Sequence, residues 1–166
     1  MSAVRLWYFG YGSNMCRATF IERRKMQPGT ARAARLGGYR LCFDIPVGSG
    51  ERGVANIVVD PACEVWGVAY ELSAEDFDRL DRTEGVQFGL YRRVPIGLVT
   101  ADDDQIAAFT YQSAVSLPGR KPSARYMGLL LSGARENNLP AKYLEYLEGI
   151  ELGSDERAAV IPATTS

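Results

Sequence analysis

Glu84 and a glycine turn some seventy residues upstream are the features of this chain best suited to do chemistry. A helix is predicted from Ser73, where Ser-x-x-Asp resembles a capping box, to Gly85 as its stop. Phe77 and Leu80 form its inner face, and Glu84, seven residues after Phe77, points the same way. Asp78, Arg79, Asp81 and Arg82 fill the solvent side. A carboxylate on an apolar stripe is costly when ionised, and the negative end of a helix dipole disfavours it further. Both effects raise a carboxyl pKa toward the range where a general acid/base works near neutral pH. The same spacing also fits a surface glutamate at a fraying helix end, paired with Arg92 or another arginine, and the residues alone leave both readings open.

The turn is Tyr8-Phe9-Gly10-Tyr11-Gly12-Ser13-Asn14-Met15, entered from an apolar strand at Val4 to Phe9. Gly10 and Gly12 permit close approaches that a Cβ resists. Ser13 or Asn14 suits the N-cap of a following helix, with Met15, Ala18 and Ile21 on one stripe. Such a strand–turn–helix start offers unpaired backbone N–H groups to a carboxylate, phosphate or developing oxyanion. It is not a P-loop, which needs Gly-Lys-Ser/Thr where Ser13-Asn14-Met15 stands. Met15 is also too large for the third small position of a dinucleotide fingerprint. Tyr11, Tyr111 and Tyr126 could bind a ligand, although buried tyrosines are usually core residues with one hydrogen bond. Cys16 lacks a base and reads as packing, Trp7 and Trp66 as core, and Asp102-Asp103-Asp104 as a solvated turn.

Composition narrows the field. The 166 residues suffice for one domain with its own core. Nineteen basic against twenty acidic residues give a net charge of −1, so no field draws the chain to nucleic acid. Arg23-Arg24-Lys25, Arg92-Arg93 and Arg120-Lys121 read as solvated surface. No apolar run approaches the roughly 20 residues of a membrane helix. A strand beginning at Val4 leaves no room for a signal peptide. Three irregularly spaced cysteines fit reduced thiols in a cytoplasm. The absence of histidine excludes His-based triads and most zinc sites, leaving carboxylates, tyrosines and cysteines for proton chemistry.

The elements that must position these residues read as α+β. Tyr39, Leu41 and Phe43 alternate with Arg40, Cys42 and Asp44, a half-buried strand. Val54 to Val59 and Val65 to Leu72 read as two central strands. Tyr91 to Val99 and Ile106 to Gln112 flank a polar turn and predict a hairpin, with Pro95 requiring an edge or a bulge. A helix is predicted from about Ser123 to Asn137, and a last short one from Pro140 to near Gly149. The expected organisation is one domain over 1–152 and a frayed tail over 153–166.

Three ordered blocks resemble the γ-glutamyl cyclotransferase family. They are the glycine turn; Glu64-Val65-Trp66-Gly67-Val68 with Leu80 to Val86 and Tyr91; and Tyr126 with Gly133 to Pro140. Together they span roughly residues 6 to 150. The resemblance implies a mixed, barrel-like sheet surrounded by helices, a cofactor-free and metal-free site, and Glu84 as the catalytic glutamate. It implies intramolecular attack by the α-amine of a γ-glutamyl group on its own side-chain carbonyl, releasing 5-oxoproline and an amino acid or amine. Tyr8, Phe9, Gly10, Tyr11, Gly12, Ser13 and Tyr126 are the expected substrate-binding residues, and Tyr111 is a weaker candidate. Gly10 and Met15 depart from the family's usual residues, and the segment from Asp44 to Gly53 has no usable likeness. The leaving group therefore stays open among an amino acid, an amine, a natural-product intermediate and glutathione. Two other readings stand beside this one: a non-catalytic module binding a small acidic metabolite, and a γ-glutamyl amidohydrolase. The expected partner is a small-molecule substrate, without nucleic acid or membrane. A homodimer is left open, since some members of the resembled family are dimers.

Overall fold

The computed structural model describes residues 4–154. Five strands close into a barrel in the order β1-β3-β2-β4-β5. They are β1 (Arg5–Gly10), β2 (Ala31–Pro46), β3 (Gly53–Ser73), β4 (Arg92–Thr100) and β5 (Gln105–Gln112). Among the described residues, three α-helices pack around it: α1 (Ala74–Thr83), α2 (Ala124–Glu136) and α3 (Ala141–Glu148). The long antiparallel pairing of β2 with β3 is the frame, and β1 lies antiparallel on the other edge of β3. Two short seams complete the closure. One is the parallel contact of β1 with β5 at Tyr8 and Phe109, and the other pairs β2 with β4 at Ala34–Thr100 and Arg35–Val99. Among the described residues, no helix is long and apolar enough to cross a membrane.

Most local expectations hold. Ser73 caps α1 by accepting from the Asp76 N–H at 3.1 Å, and Gly85 ends it with φ 68°. Ser123 caps α2 by accepting from the Tyr126 N–H at 3.1 Å, and Asn137 closes it. β4 and β5 form the hairpin. Pro95 stands on the free edge of β4, which meets β2 only at its last two residues.

Four expectations are corrected. The two central strands predicted at 54–59 and 65–72 are one element, β3. Asp60-Pro61-Ala62-Cys63 is a bulge inside it, where the pairing with β2 shifts between Gly37 and Tyr39. No α-helix follows the glycine turn. The chain makes a 3-10 turn, Ser13–Met15, and then a π-helical turn, Ala18–Arg23. Neither Ser13 nor Asn14 caps it, and Met15, Thr19 and Phe20 are buried rather than Ala18 and Ile21. Tertiary packing overrides the local pattern here: Phe20 stacks on Tyr70 with centroids 4.2 Å apart, and Asn137 donates to the Met15 carbonyl at 3.0 Å. Asp81, expected in solvent, accepts from both Arg93 (2.7 and 3.1 Å) and the Tyr111 hydroxyl. Last, Gly153 and Ser154 of the predicted tail are tied down. Their N–H groups donate to the Pro122 carbonyl at 2.9 Å and to Glu51 at 3.0 Å, while residues 155–166 lie outside the described residues.

Candidate active site

At one end of the barrel a cavity of about 250 Å³ opens between the glycine turn, the C-terminus of α1 and the start of α2. That is below the roughly 300–1,000 Å³ of sites for drug-sized ligands, so it suits a small head group. Tyr8, Tyr11, Gly12, Ser13, Glu84 and Tyr126, all expected from the sequence, meet here. Tyr111 joins them. Phe9 and Gly10 do not line it. Successive strand residues face opposite sides, so Tyr8 turns to the cavity and Phe9 into the core, where it is fully buried. A Cβ on Gly10 would meet nothing closer than 3.4 Å, an ordinary contact, so no close approach requires glycine there.

Among the described residues, Glu84 is the one carboxylate that lines the cavity. It is the C-cap of α1, its N–H donating to the Leu80 carbonyl at 2.9 Å, and its side chain is only 13% exposed. Burial raises its pKa, opposed by the Arg24 guanidinium at 3.8 Å and by the Asn14 side-chain amide, which donates to it at 3.3 Å. The group is thus buried enough to accept a proton readily and partnered enough to ionise. It is the arrangement a proton-cycling carboxylate needs.

Phenols surround it. Asn14 also donates to the Tyr8 hydroxyl at 2.9 Å, joining Tyr8 and Glu84 through one amide. Burial, reinforced by the Glu84 charge, pushes the Tyr8 hydroxyl far up. Tyr91 and Tyr111 are raised chiefly by burial, and Tyr126 is pushed up to about 12 for the same reason. These rings stay neutral where Glu84 titrates. The hydroxyls of the other two expected tyrosines, Tyr11 and Tyr126, are engaged as well. Tyr11 donates to the Tyr111 carbonyl at 2.6 Å, and Tyr126 accepts from the Ala55 N–H at 3.0 Å, with the Ser13 N–H also directed at it.

The glycine turn brings its backbone to the cavity without an α-helix behind it. The helix-dipole part of the expectation therefore lapses, and what stays is the N–H groups themselves. Among the described residues, no backbone carbonyl accepts from the N–H of Gly12, Ser13 or Asn14. A Cβ on Gly12 would stand 2.9 Å from the Tyr126 hydroxyl. The close approach to Tyr126 is what glycine permits at this position.

Three contributors escape the sequence reading. Arg24, taken for solvated surface within a basic triplet, is turned inward because its N–H closes a π-type bond to the Thr19 carbonyl at 2.9 Å. Asn14 has the composition of a cap and serves instead as the amide linking Tyr8 to Glu84. Tyr91 completes the wall, its hydroxyl donating to the Ala55 carbonyl at 3.3 Å. Nothing in the local sequence around Arg24 signals its role. Cys16 is buried, and Asp102 and Asp104 pair with Arg32, so both expectations of a non-site role hold.

Known proteins resemble this chain in both sequence and fold. The model of the AIG2-like family matches residues 64–147. The gamma-glutamylcyclotransferase of Bos taurus is 33% identical over 153 residues, covering 87% of this chain and 78% of the relative. That of Homo sapiens is 32% identical over 148 residues with the same coverage. A solved gamma-glutamyl cyclotransferase structure superposes with a TM-score of 0.80 at 29% identity, covering 92% of this chain and 91% of the other. The chain belongs to the AIG2-like family and is a γ-glutamylcyclotransferase-type enzyme within it.

Proposed function

We propose that this enzyme converts γ-glutamyl amino acids or amines to 5-oxoproline and the free amino compound, with Glu84 as the single general acid/base. The supporting observation is a buried carboxylate, its pKa raised by burial and without a second carboxylate beside it among the described residues, in a cavity walled chiefly by neutral phenols, the glycine turn and Arg24. A pure anion binder gains nothing from that carboxylate, which disfavours a non-catalytic module. In the proposed cycle Glu84 takes a proton from the substrate α-ammonium, and the freed nitrogen attacks the γ-carbonyl carbon. The new N–C bond closes the five-membered ring, and the carbonyl oxygen becomes an oxyanion facing the N–H groups of the glycine turn. Protonated Glu84 then delivers its proton to the departing nitrogen as the original amide bond breaks. The regenerated carboxylate takes the extra proton from the ring nitrogen and passes it to the released amine, leaving a neutral lactam and ionised Glu84. Folding a flexible chain so that its own amine meets its carbonyl is an orientation effect worth about 7–11 kcal/mol in well-aligned intramolecular reactions. The aromatic walls of a small cavity are suited to impose that fold. A reduced, cytoplasmic setting and a site working without metal or cofactor belong to the same proposal.

Incubation with γ-Glu-Ala and chromatography for 5-oxoproline tests this reading. Glu84→Gln keeps the shape and hydrogen bonding but cannot cycle a proton, so its rate should fall about 10²-fold or more. A variant retaining over a tenth of wild-type activity sinks the assignment.

A further inference from the structure

A second, larger cavity of about 750 Å³ adjoins the first, sharing Ser13, Arg24 and Tyr126 with it. Its walls carry Arg23, Arg24, Lys25, Arg79 and Arg125 and, among the described residues, no aspartate or glutamate. Three consecutive side chains line one cavity here, whereas an α-helix would set them about 100° apart. The π-helical turn ending at Arg23 and the left-handed backbone of Lys25, φ 59°, bring this about. Arg79 is offset by Asp76 at 3.0 Å, and Arg24 is shared with Glu84. Arg23 and Lys25 make no ion pair among the described residues. Independently, the Arg24 Nε at the junction of the two cavities is buried without a hydrogen-bond partner. A buried donor left unmatched is costly unless a ligand completes it. Ser123 and Arg125, at the start of the thirteen-residue α2, add the positive end of that helix to the same wall.

From this we infer that the second cavity is the leaving-group subsite, and that it selects leaving groups bearing two carboxylates. The inference rests on the cyclotransferase reading for the direction in which substrate lies. With the scissile carbonyl beside Glu84, the departing amino compound extends past Ser13, Arg24 and Tyr126 into the basic cavity. Its first carboxylate meets the Arg24 Nε at the junction. A second, on a side chain, reaches the unpaired Arg23 and Lys25. A dipeptide such as γ-Glu-Glu has this charge pattern, while isosteric γ-Glu-Gln lacks the outer negative charge.

Calorimetry on the Glu84→Gln protein reads the subsite without turnover. γ-Glu-Glu should bind about fivefold tighter than γ-Glu-Gln, the scale set by one or two solvent-screened ion pairs. Adding Arg23→Ala and Lys25→Ala should close that gap to within about twofold. Equal affinities for the two dipeptides, or a gap that survives the added substitutions, overturns the proposal. Product analysis of wild-type enzyme with γ-Glu-Ala is read separately. Absence of 5-oxoproline there removes the cyclotransferase reading, while the calorimetric ratio still decides whether the basic cavity selects the second carboxylate.

Discussion

Glu84 stands between two opposed influences, and the balance predicts how the enzyme answers to pH. Burial raises its pKa and Arg24 pulls it down, so the Arg24 charge keeps the carboxylate available at lower pH. On the proposed mechanism the free enzyme carries ionised Glu84 to accept the ammonium proton, so kcat/KM should climb as pH rises through the Glu84 pKa. Arg24→Ala leaves burial less opposed, the pKa rises, and the acid limb of the profile should move to higher pH. Arg24→Lys retains the charge and should move it less. A limb that stays in place, or shifts to lower pH, would show that Arg24 does not tune this group. Periodicity set Glu84 in register with Phe77 and Leu80 but left a surface glutamate equally open, and only the family resemblance of the surrounding block singled it out. Arg24 was not legible, because its direction depends on a π-type bond to Thr19 and on Phe20 seating against Tyr70, both settled by tertiary packing.

Among the elements, α2 and the glycine turn depend on one another. A Cβ on Gly133 would lie 2.5 Å from the Met15 backbone carbon and 2.7 Å from the Cys16 nitrogen, so only glycine lets the helix approach the turn this closely. Intrinsic helix propensity favours alanine by about 0.8–1 kcal/mol. Overpacking against backbone costs about 1–3 kcal/mol and should win. Gly133→Ala is accordingly expected to lower Tm by several degrees, at about 2–4 °C per kcal/mol for a chain of this size. A raised Tm in thermal denaturation would contradict the close approach. The ends of α1 and α2 were readable because caps are local signals, Ser73 and Ser123 each bonding three residues ahead. The continuity of β3 was hidden by Asp60-Pro61, residues that normally end a strand and here form a bulge. Tyr8 and Phe9 could not be told apart from sequence, since both faces of β1 are buried.

At the scale of the molecule, the barrel closes through seams too short for backbone pairing alone, and side chains reinforce them. Thr110, fully buried, donates to the Phe9 carbonyl at 2.7 Å, and Tyr11 donates to the Tyr111 carbonyl across the same β1–β5 seam. Thr110→Val keeps the shape and leaves a buried carbonyl unmatched, a loss of about 1–3 kcal/mol measurable by urea denaturation. Unchanged stability would mean that the seam does not depend on that bond. The closed barrel in turn holds the glycine turn opposite Glu84, the site where the proposed mechanism has a substrate's own amine act as nucleophile. Isotope labelling tests that claim most directly. With γ-Glu-Ala in ¹⁸O-enriched water, all product should be unlabelled 5-oxoproline and alanine, because no water oxygen enters an intramolecular cyclisation. Free glutamate carrying ¹⁸O in its side-chain carboxylate would contradict the account and identify water as the nucleophile.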